Sequence, residues 1–301
     1  MDLHQAQRAV VNLLAQVSPG ILPRVIQWMR HSSDIEDLLR SNADVLLNCI
    51  ADDLRSSLPL EAMVGSENQV IDIIQSLQRP TLHVDAFLYD DDTVDALCEE
   101  GKMSRNYCMS CGSRKTAPID FISHSFSVVD LKFLFQQMLP DLSGKTLVDV
   151  GSRLGAVLYA GYVYSSARKL EGVEINMEFC HLQEKIIKKY DFADRIQVYH
   201  SDICCQPSLL HHADVVVLHN VFEYFLDKEE QIKAWIFIME NLRKTGSLIV
   251  TVPSLEESLD KLQMNIQLDK WVEKVKLNPD IYLGSETDEE TISQFHLYRV
   301  L

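Results

Sequence analysis

The apolar positions of this chain change their period along its length. Over the first 80 residues they recur at helical spacing: Leu3, Val10, Leu13, Leu14 and Val17 form one stripe, and Val25, Ile26, Trp28 and Met29 a second, which predicts amphipathic helices. Pro19-Gly20 separates the two runs, as a helix-breaking pair should. A further helix is expected from Ser33, with Asp34, Glu36 and Asp37 in its first turn, where acidic side chains complement the positive end of the helix dipole. Another is expected from Ser66, where Gln69 completes a capping-box pattern ahead of Val70, Ile73, Ile74 and Leu77. Residues 1–80 therefore read as a helical module whose stripes pack a helix-bundle core, with partner docking as the alternative.

Residues 81–118 interrupt that pattern. The acidic run Asp90-Asp91-Asp92 is followed by Cys98, Tyr107, Cys108, Cys111 and Gly112, and the stretch reads as a connector. From Thr146 onward, short apolar segments at 147–150, 170–174, 196–199, 215–218 and 248–252 alternate with helical ones at about 154–165, 177–190 and 228–242. Such alternation predicts an α/β fold, a doubly wound and mostly parallel sheet with helices on both faces. A last strand over 295–300, after a short one at 281–283, is expected to close the sheet as an antiparallel edge. The α/β domain is placed at 119–301.

In a doubly wound sheet, ligands bind beyond the carboxyl ends of the strands. The first strand runs through Asp149-Val150-Gly151-Ser152-Arg153-Leu154-Gly155 straight into a helix, a tight turn whose backbone can approach a ligand. The second ends at Glu174, a position from which a carboxylate accepts hydrogen bonds from both hydroxyls of a ribose. The third leads to Ser201-Asp202-Ile203, where an acid can meet an adenine amino group. A dinucleotide fingerprint would need glycine at 151, 153 and 156, but the chain has Gly151, Arg153 and Ala156. An arginine in the middle place would crowd a pyrophosphate, which disfavours a dehydrogenase. A phosphate-free ligand carrying a sulfonium and an ammonium suits the acidic Asp149 better.

These motifs, with Gly172-Val173-Glu174-Ile175 and the segment from Asp214 to Phe225, resemble the core of the class I S-adenosylmethionine-dependent methyltransferases over residues 147–252. The resemblance implies a seven-stranded Rossmann-like sheet, S-adenosylmethionine as cofactor and methyl transfer as activity. It implies that Gly151 and Gly155, with Asp149, Ser152 and Arg153 in the same turn, lie against the methionine part of the cofactor. Glu174, followed by Ile175, would hold the ribose, Asp202 and Ile203 would face adenine, and His219, Asn220 and Val221 would border the methyl group. His124, in the aromatic segment 121–127, would fold over the cofactor. Family turns commonly have a small residue where this chain has Arg153, so a binding or scaffold protein that kept the fold and lost catalysis stays open as the alternative.

Methyl transfer is an in-line displacement, accelerated mostly by holding the acceptor near the methyl in a dry site. Asn220, Glu223 and Tyr224, just after the fourth strand, supply an amide, a carboxylate and a phenol to orient the acceptor and manage its proton. The same segment lacks the Asn/Asp-Pro-Pro-Tyr pattern associated with amino methylation of nucleic bases. The charge balance agrees, with 28 basic residues against 44 acidic ones for a net charge of -16. That field steers polyanions away and favours a basic protein segment or an amine-bearing small molecule as acceptor. Lys185, Lys188 and Lys189 form the best local anion patch, although a solvated helix face accounts for them equally.

Seven cysteines include Cys108-x-x-Cys111, a zinc-knuckle spacing that with Cys98 gives a partial structural zinc site, to be completed by a residue such as His83 or His124. No run approaches the ~20 apolar residues of a membrane helix, and the first residues lack a basic-then-apolar signal. An intracellular protein, cytoplasmic or nuclear, with reduced cysteines is expected.

Overall fold

The structure, a computed structural model, describes residues 3–110, 114–264, 266–277 and 289–301. It forms two compact units, one up to Leu46 and one from Leu47 to Leu301, the boundary falling inside the helix Ser33–Arg55. The first unit contains the helices Leu3–Ala15 and Leu22–His31 and the start of Ser33–Arg55, broken as expected around Pro19-Gly20. Its apolar stripes do not form the expected core: Val10, Leu13 and Trp28 are exposed, and no residue of Leu22–His31 is buried. Two helices of 13 and 10 residues offer too little facing area to close one. The side chains of Asp34, Glu36 and Asp37 lie outside the described ones.

The second unit is built on a seven-stranded sheet. Its strands are β1 (Thr146–Val150), β2 (Lys169–Glu174), β3 (Ile196–His200), β4 (Val215–His219), β5 (Leu248–Val252), β6 (Val272–Val275) and β7 (His296–Val300). They lie in the order β3-β2-β1-β4-β5-β7-β6. The first five pair parallel, with Leu147 opposite Leu170 and Val215, and β7 is antiparallel to both of its neighbours, β5 and β6. This is the seven-stranded, doubly wound fold implied by the resemblance to the class I methyltransferases.

One expectation changes. The strand over 295–300 is not the edge, because β7 lies between β5 and β6, and the edge is β6. With Glu273 and Lys274 between Val272 and Val275, β6 is too short and polar to announce itself by alternation. The strand expected at 281–283 lies outside the described residues.

All five residues of β1 are buried, as a central parallel strand covered on both faces requires. On one face Val148, Val150, Val216 and Leu218 share a core with Ala234, Trp235 and Ile238 of the helix Lys228–Asn241. The helices Ala156–Tyr164 and Met177–Tyr190 follow β1 and β2, close to where helical periodicity placed them.

Upstream of the sheet, the second half of Ser33–Arg55 buries Leu47, Ile50 and Leu54. The short strand Thr81–His83 pairs in parallel with Asp120–Ile122, and Asn106–Cys108 forms a hairpin with Thr116–Pro118. The acidic run read as a connector starts a helix, Asp91–Glu99, in which the Asp90 side chain accepts from the Thr93 N–H at 2.9 Å. The helix expected from Ser66 begins instead at Asn68, after a 3-10 turn over Gly65–Glu67. There Glu67, not Gln69, returns its carboxylate to the Val64 N–H at 3.1 Å. Among the described residues, no helix is long and apolar enough to cross a membrane.

Candidate functional site

A cavity of about 840 Å³ opens beyond the carboxyl ends of β1 to β4, where the strand order turns back on itself and ligands of such sheets bind. Its floor is the turn after β1. The N–H groups of Gly151 and Ser152 donate to the Val173 carbonyl at 2.8 and 3.1 Å. Gly151 has φ +72°, and a Cβ there would stand 2.5 Å from Val221 Cγ2, so backbone and space both demand glycine.

Arg153 takes a left-handed conformation as well, at φ +41°, which for a non-glycine residue costs on the order of 1–3 kcal/mol. The surrounding structure compensates for it. Its Nη1 donates to Asp85 Oδ2 at 2.8 Å, its Nη2 to the Ala62 carbonyl at 2.7 Å and its Nε to Glu67 Oε1 at 3.3 Å, and the guanidinium lies 4.8 Å from the centre of the Phe179 ring. The side chain expected to crowd the turn is therefore held by residues 62–85.

Glu174, buried at the end of β2, accepts the Arg153 N–H on Oε2 at 2.8 Å and the Asn176 N–H on Oε1 at 2.7 Å. A carboxylate has about four acceptor positions, so two stay open for hydroxyl donors. Burial pushes its pKa up against the opposing pull of these two N–H groups. Asp202 caps the short turn Ile203–Cys205 by accepting the Cys204 N–H at 2.8 Å. Beside these acids, Ile175 and Met177 are 66% and 53% exposed at the cavity wall. Two carboxylates flanked by uncovered apolar side chains form a fitting acceptor set for the amino group of a flat adenine and the hydroxyls of its ribose. Glu67, Glu174, Glu178, Asp202 and Glu230 against Arg153 and Lys233 leave the lining negative, which suits a cationic ligand better than a pyrophosphate.

Asp149 sits differently from Gly151 and Arg153 of the same turn. It does not line the cavity, and burial, aided by the nearby Glu174, pushes its pKa well above the ordinary carboxylate range. It stands behind the turn and is not the charge a cation would meet. Ser152 and Gly155 are also behind it: Ser152 Oγ donates to Gln183 Oε1 at 3.1 Å, and a Cβ at Gly155 would lie 2.7 Å from the Tyr159 hydroxyl. Gly151, Arg153, Glu174, Ile175, Asp202, Ile203, His219, Asn220 and His124 do line the cavity.

At the other end of the cavity the His219 ring stacks on Phe126 at 4.0 Å, and its Nδ1 is 3.3 Å from the His124 carbonyl oxygen. His124 stacks on His83 at 4.7 Å, with Tyr224 and Phe225 edge-on at 5.2 and 5.0 Å. Neither ring nitrogen of His124, nor Nε2 of His83, has a hydrogen-bond partner among the described residues. Desolvation lowers both histidine pKa values, reinforced at His83 by Arg153 and at His124 by His83 and then Arg153.

Groups kept neutral in the native state but protonated in the unfolded chain stabilise fully above pH ~6.5 and lose that contribution as pH falls toward their native pKa. Unfolding free energy should therefore fall by up to about 1.4 kcal/mol per pH unit for each ring below pH ~6.5. Urea denaturation of the protein and of His124→Phe at pH 7 and 5 checks this, since the variant should show the smaller loss.

Asn220 has φ +48°, donates its N–H to the Val252 carbonyl at 2.7 Å and lines the cavity. The other two acceptor-orienting candidates do not reach the lining. Glu223 accepts from Ser258 Oγ at 2.9 Å, and Tyr224 packs beside Met63, Val70 and Ile74. Lys189 pairs with Asp53 and Lys185 with Ser57 Oγ, so two of the three lysines are engaged within the protein. No group of three His, Cys, Asp or Glu able to hold a metal occurs among the described residues. Cys98 sits on a helix, Cys108 in a hairpin, and Cys111 lies outside the described residues. His83 and His124 are stacked in the interior, so among the described residues the expected zinc set is not assembled.

Sequence reasoning missed Glu67, Gln69 and Val70, which line the cavity, and Asp85. Each lies more than 60 residues before the turn it serves, beyond the reach of any local spacing.

No model of a known protein family matches the chain, and no curated protein matches it. Solved structures similar to it include an RNA methyltransferase from Salinibacter ruber in complex with S-adenosyl-L-homocysteine, at 19% identity and a TM-score of 0.36 over 57% of this chain and 88% of that one. A SAM-dependent O-methyltransferase from Thermotoga maritima has 16% identity and a TM-score of 0.41, over 60% of this chain and 67% of that one. Precorrin 8w decarboxylase from Methanobacterium thermoautotrophicum has 16% identity and a TM-score of 0.38, over 51% and 77%. These are likenesses of fold; chemistry has to come from the residues of the cavity.

Proposed function

We propose that this chain is an S-adenosylmethionine-dependent methyltransferase whose acceptor is a basic protein side chain or an amine-bearing small molecule. The observation that carries the reading is Glu174, a buried carboxylate fixed by two backbone N–H groups, with acceptor capacity to spare in a negatively lined cavity at the switch point of the sheet. When bound, S-adenosylmethionine supplies an electrophilic methyl group on a cationic sulfur. Glu174 would hold the ribose hydroxyls, Asp202 and Ile203 the adenine, and the Gly151 turn the methionine part. The amide oxygen of Asn220 can orient an acceptor N–H, while Val221, Phe225 and the His124 ring keep that end of the cavity dry. The negative lining draws a cationic acceptor in.

Transfer of a radioactive methyl group from S-adenosylmethionine into the protein or small-molecule fraction of a cell extract tests this. The expected result is label in one fraction, reduced about tenfold or more by Asn220→Ala with S-adenosylhomocysteine affinity kept within about threefold, a loss of roughly one hydrogen bond to a charged group. No label in either fraction from a protein that binds S-adenosylhomocysteine would put the scaffold reading ahead.

A further inference from the structure

We propose that Asp85 is a positioning residue of the cofactor site, acting through Arg153, so that a segment more than 60 residues upstream sets the affinity of the pocket; this rests on reading the cavity as an S-adenosylmethionine site. Asp85 is 0% exposed. Its Oδ1 accepts the N–H groups of Phe87 and Leu88 at 3.1 and 3.3 Å, which fixes the carboxylate on its own loop. Its Oδ2 is then presented to Arg153 Nη1 at 2.8 Å and Ser125 Oγ at 2.7 Å.

Beyond the guanidinium, the backbone of Arg153 belongs to the cofactor turn. Its N–H donates to Glu174 Oε2 at 2.8 Å, and its carbonyl accepts from Gln183 Nε2 at 2.8 Å. One continuous chain of contacts thus runs from the loop at 85–88 to the acid proposed to hold the ribose. Through Ser125 the same carboxylate also fixes the segment that carries His124 to the cavity wall.

The reason for such an anchor is the conformation of Arg153. Glycine visits the left-handed region freely, whereas a residue with a Cβ stays there only when its surroundings hold it. Arginine at φ +41° trades glycine's freedom for a side chain long enough to be held from outside the turn. Loss of the anchor lets residue 153 relax, which withdraws an N–H from Glu174 and shifts the floor of the pocket. A merely structural Asp85 would lower stability whatever residue 153 is. A positioning Asp85 matters only while residue 153 is strained.

Calorimetric titration of the full chain with S-adenosylhomocysteine separates these. Asp85→Asn is expected to weaken binding about tenfold or more in the wild-type background, but to cost less than about threefold more when added to Arg153→Gly, whose glycine needs no anchor. Asp85→Asn binding as tightly as the wild type, or a loss on the Arg153→Gly background as large as on the wild type, would overturn the proposal. If Asp85→Asn does not fold, Asp85→Glu, which keeps the charge but displaces the carboxylate from Arg153 Nη1, should weaken binding about threefold, and unchanged affinity there would overturn it too. A wild type that binds no S-adenosylhomocysteine overturns the cofactor reading together with the anchor, whereas a binding wild type with an indifferent Asp85→Asn overturns the anchor alone.

Discussion

Glu174→Ala should weaken S-adenosylhomocysteine binding about 100-fold while changing the stability of the ligand-free protein little. Hydrogen bonds to a charged acceptor contribute roughly 1.5–3 kcal/mol each. Losing two hydroxyl bonds that compete with water at an open cavity costs about 3 kcal/mol net, and 1.4 kcal/mol is a factor of ten. The unliganded protein is spared because two effects oppose each other. The Arg153 and Asn176 N–H groups lose their acceptor, but the cost of keeping a charged carboxylate buried disappears as well. Calorimetry gives the affinity and urea denaturation the stability. A change of less than threefold in affinity would remove Glu174 from the ligand site.

Arg153→Met should be the most destabilising single change in the site. The guanidinium is buried together with Asp85 and Glu67, and removing one partner of a buried ion pair leaves charge uncompensated at a cost of about 3–5 kcal/mol. For a unit of this size that corresponds to a fall in Tm of roughly 10 °C. The effect should be non-additive: adding Asp85→Asn to Arg153→Met removes one of the stranded charges and should recover part of the loss. Thermal unfolding of both variants checks this. A double variant less stable than Arg153→Met by the full cost of Asp85→Asn alone would show that the two side chains act independently.

That Glu174 and Gly151 lie beyond the carboxyl ends of the strands is legible in the sequence, and the contact of Asp85 with Arg153 is not, for one physical reason. A strand that ends in a glycine turn and runs into a helix is encoded over a dozen neighbouring residues, so β1 to β5 and the turn after Val150 follow from alternating apolar segments. The charges that hold Arg153 come from positions 86 and 68 residues away, and only the folded chain shows that an arginine in a glycine's place is neutralised from the side. Periodicity likewise states that a helix has an apolar face but not what covers it, so Val10, Leu13 and Trp28 read as core and stand exposed. Residue type names a chemical group without its direction: Asn220, Glu223 and Tyr224 are near neighbours, and only Asn220 lines the cavity. A carboxylate's charge is no more secure from sequence, because burial at Asp149 pushes its pKa far upward.

The cavity beyond β1 to β4 is proposed to hold an adenosyl cofactor without a pyrophosphate. Thermal unfolding with S-adenosylhomocysteine and NADH in parallel tests it most directly, since a ligand at 100 times its Kd stabilises by about 2.7 kcal/mol, a shift of several degrees. The expected result is a raised Tm with S-adenosylhomocysteine, none with NADH, and loss of the shift in Glu174→Ala. A larger shift with NADH, or no shift with either ligand, would contradict it.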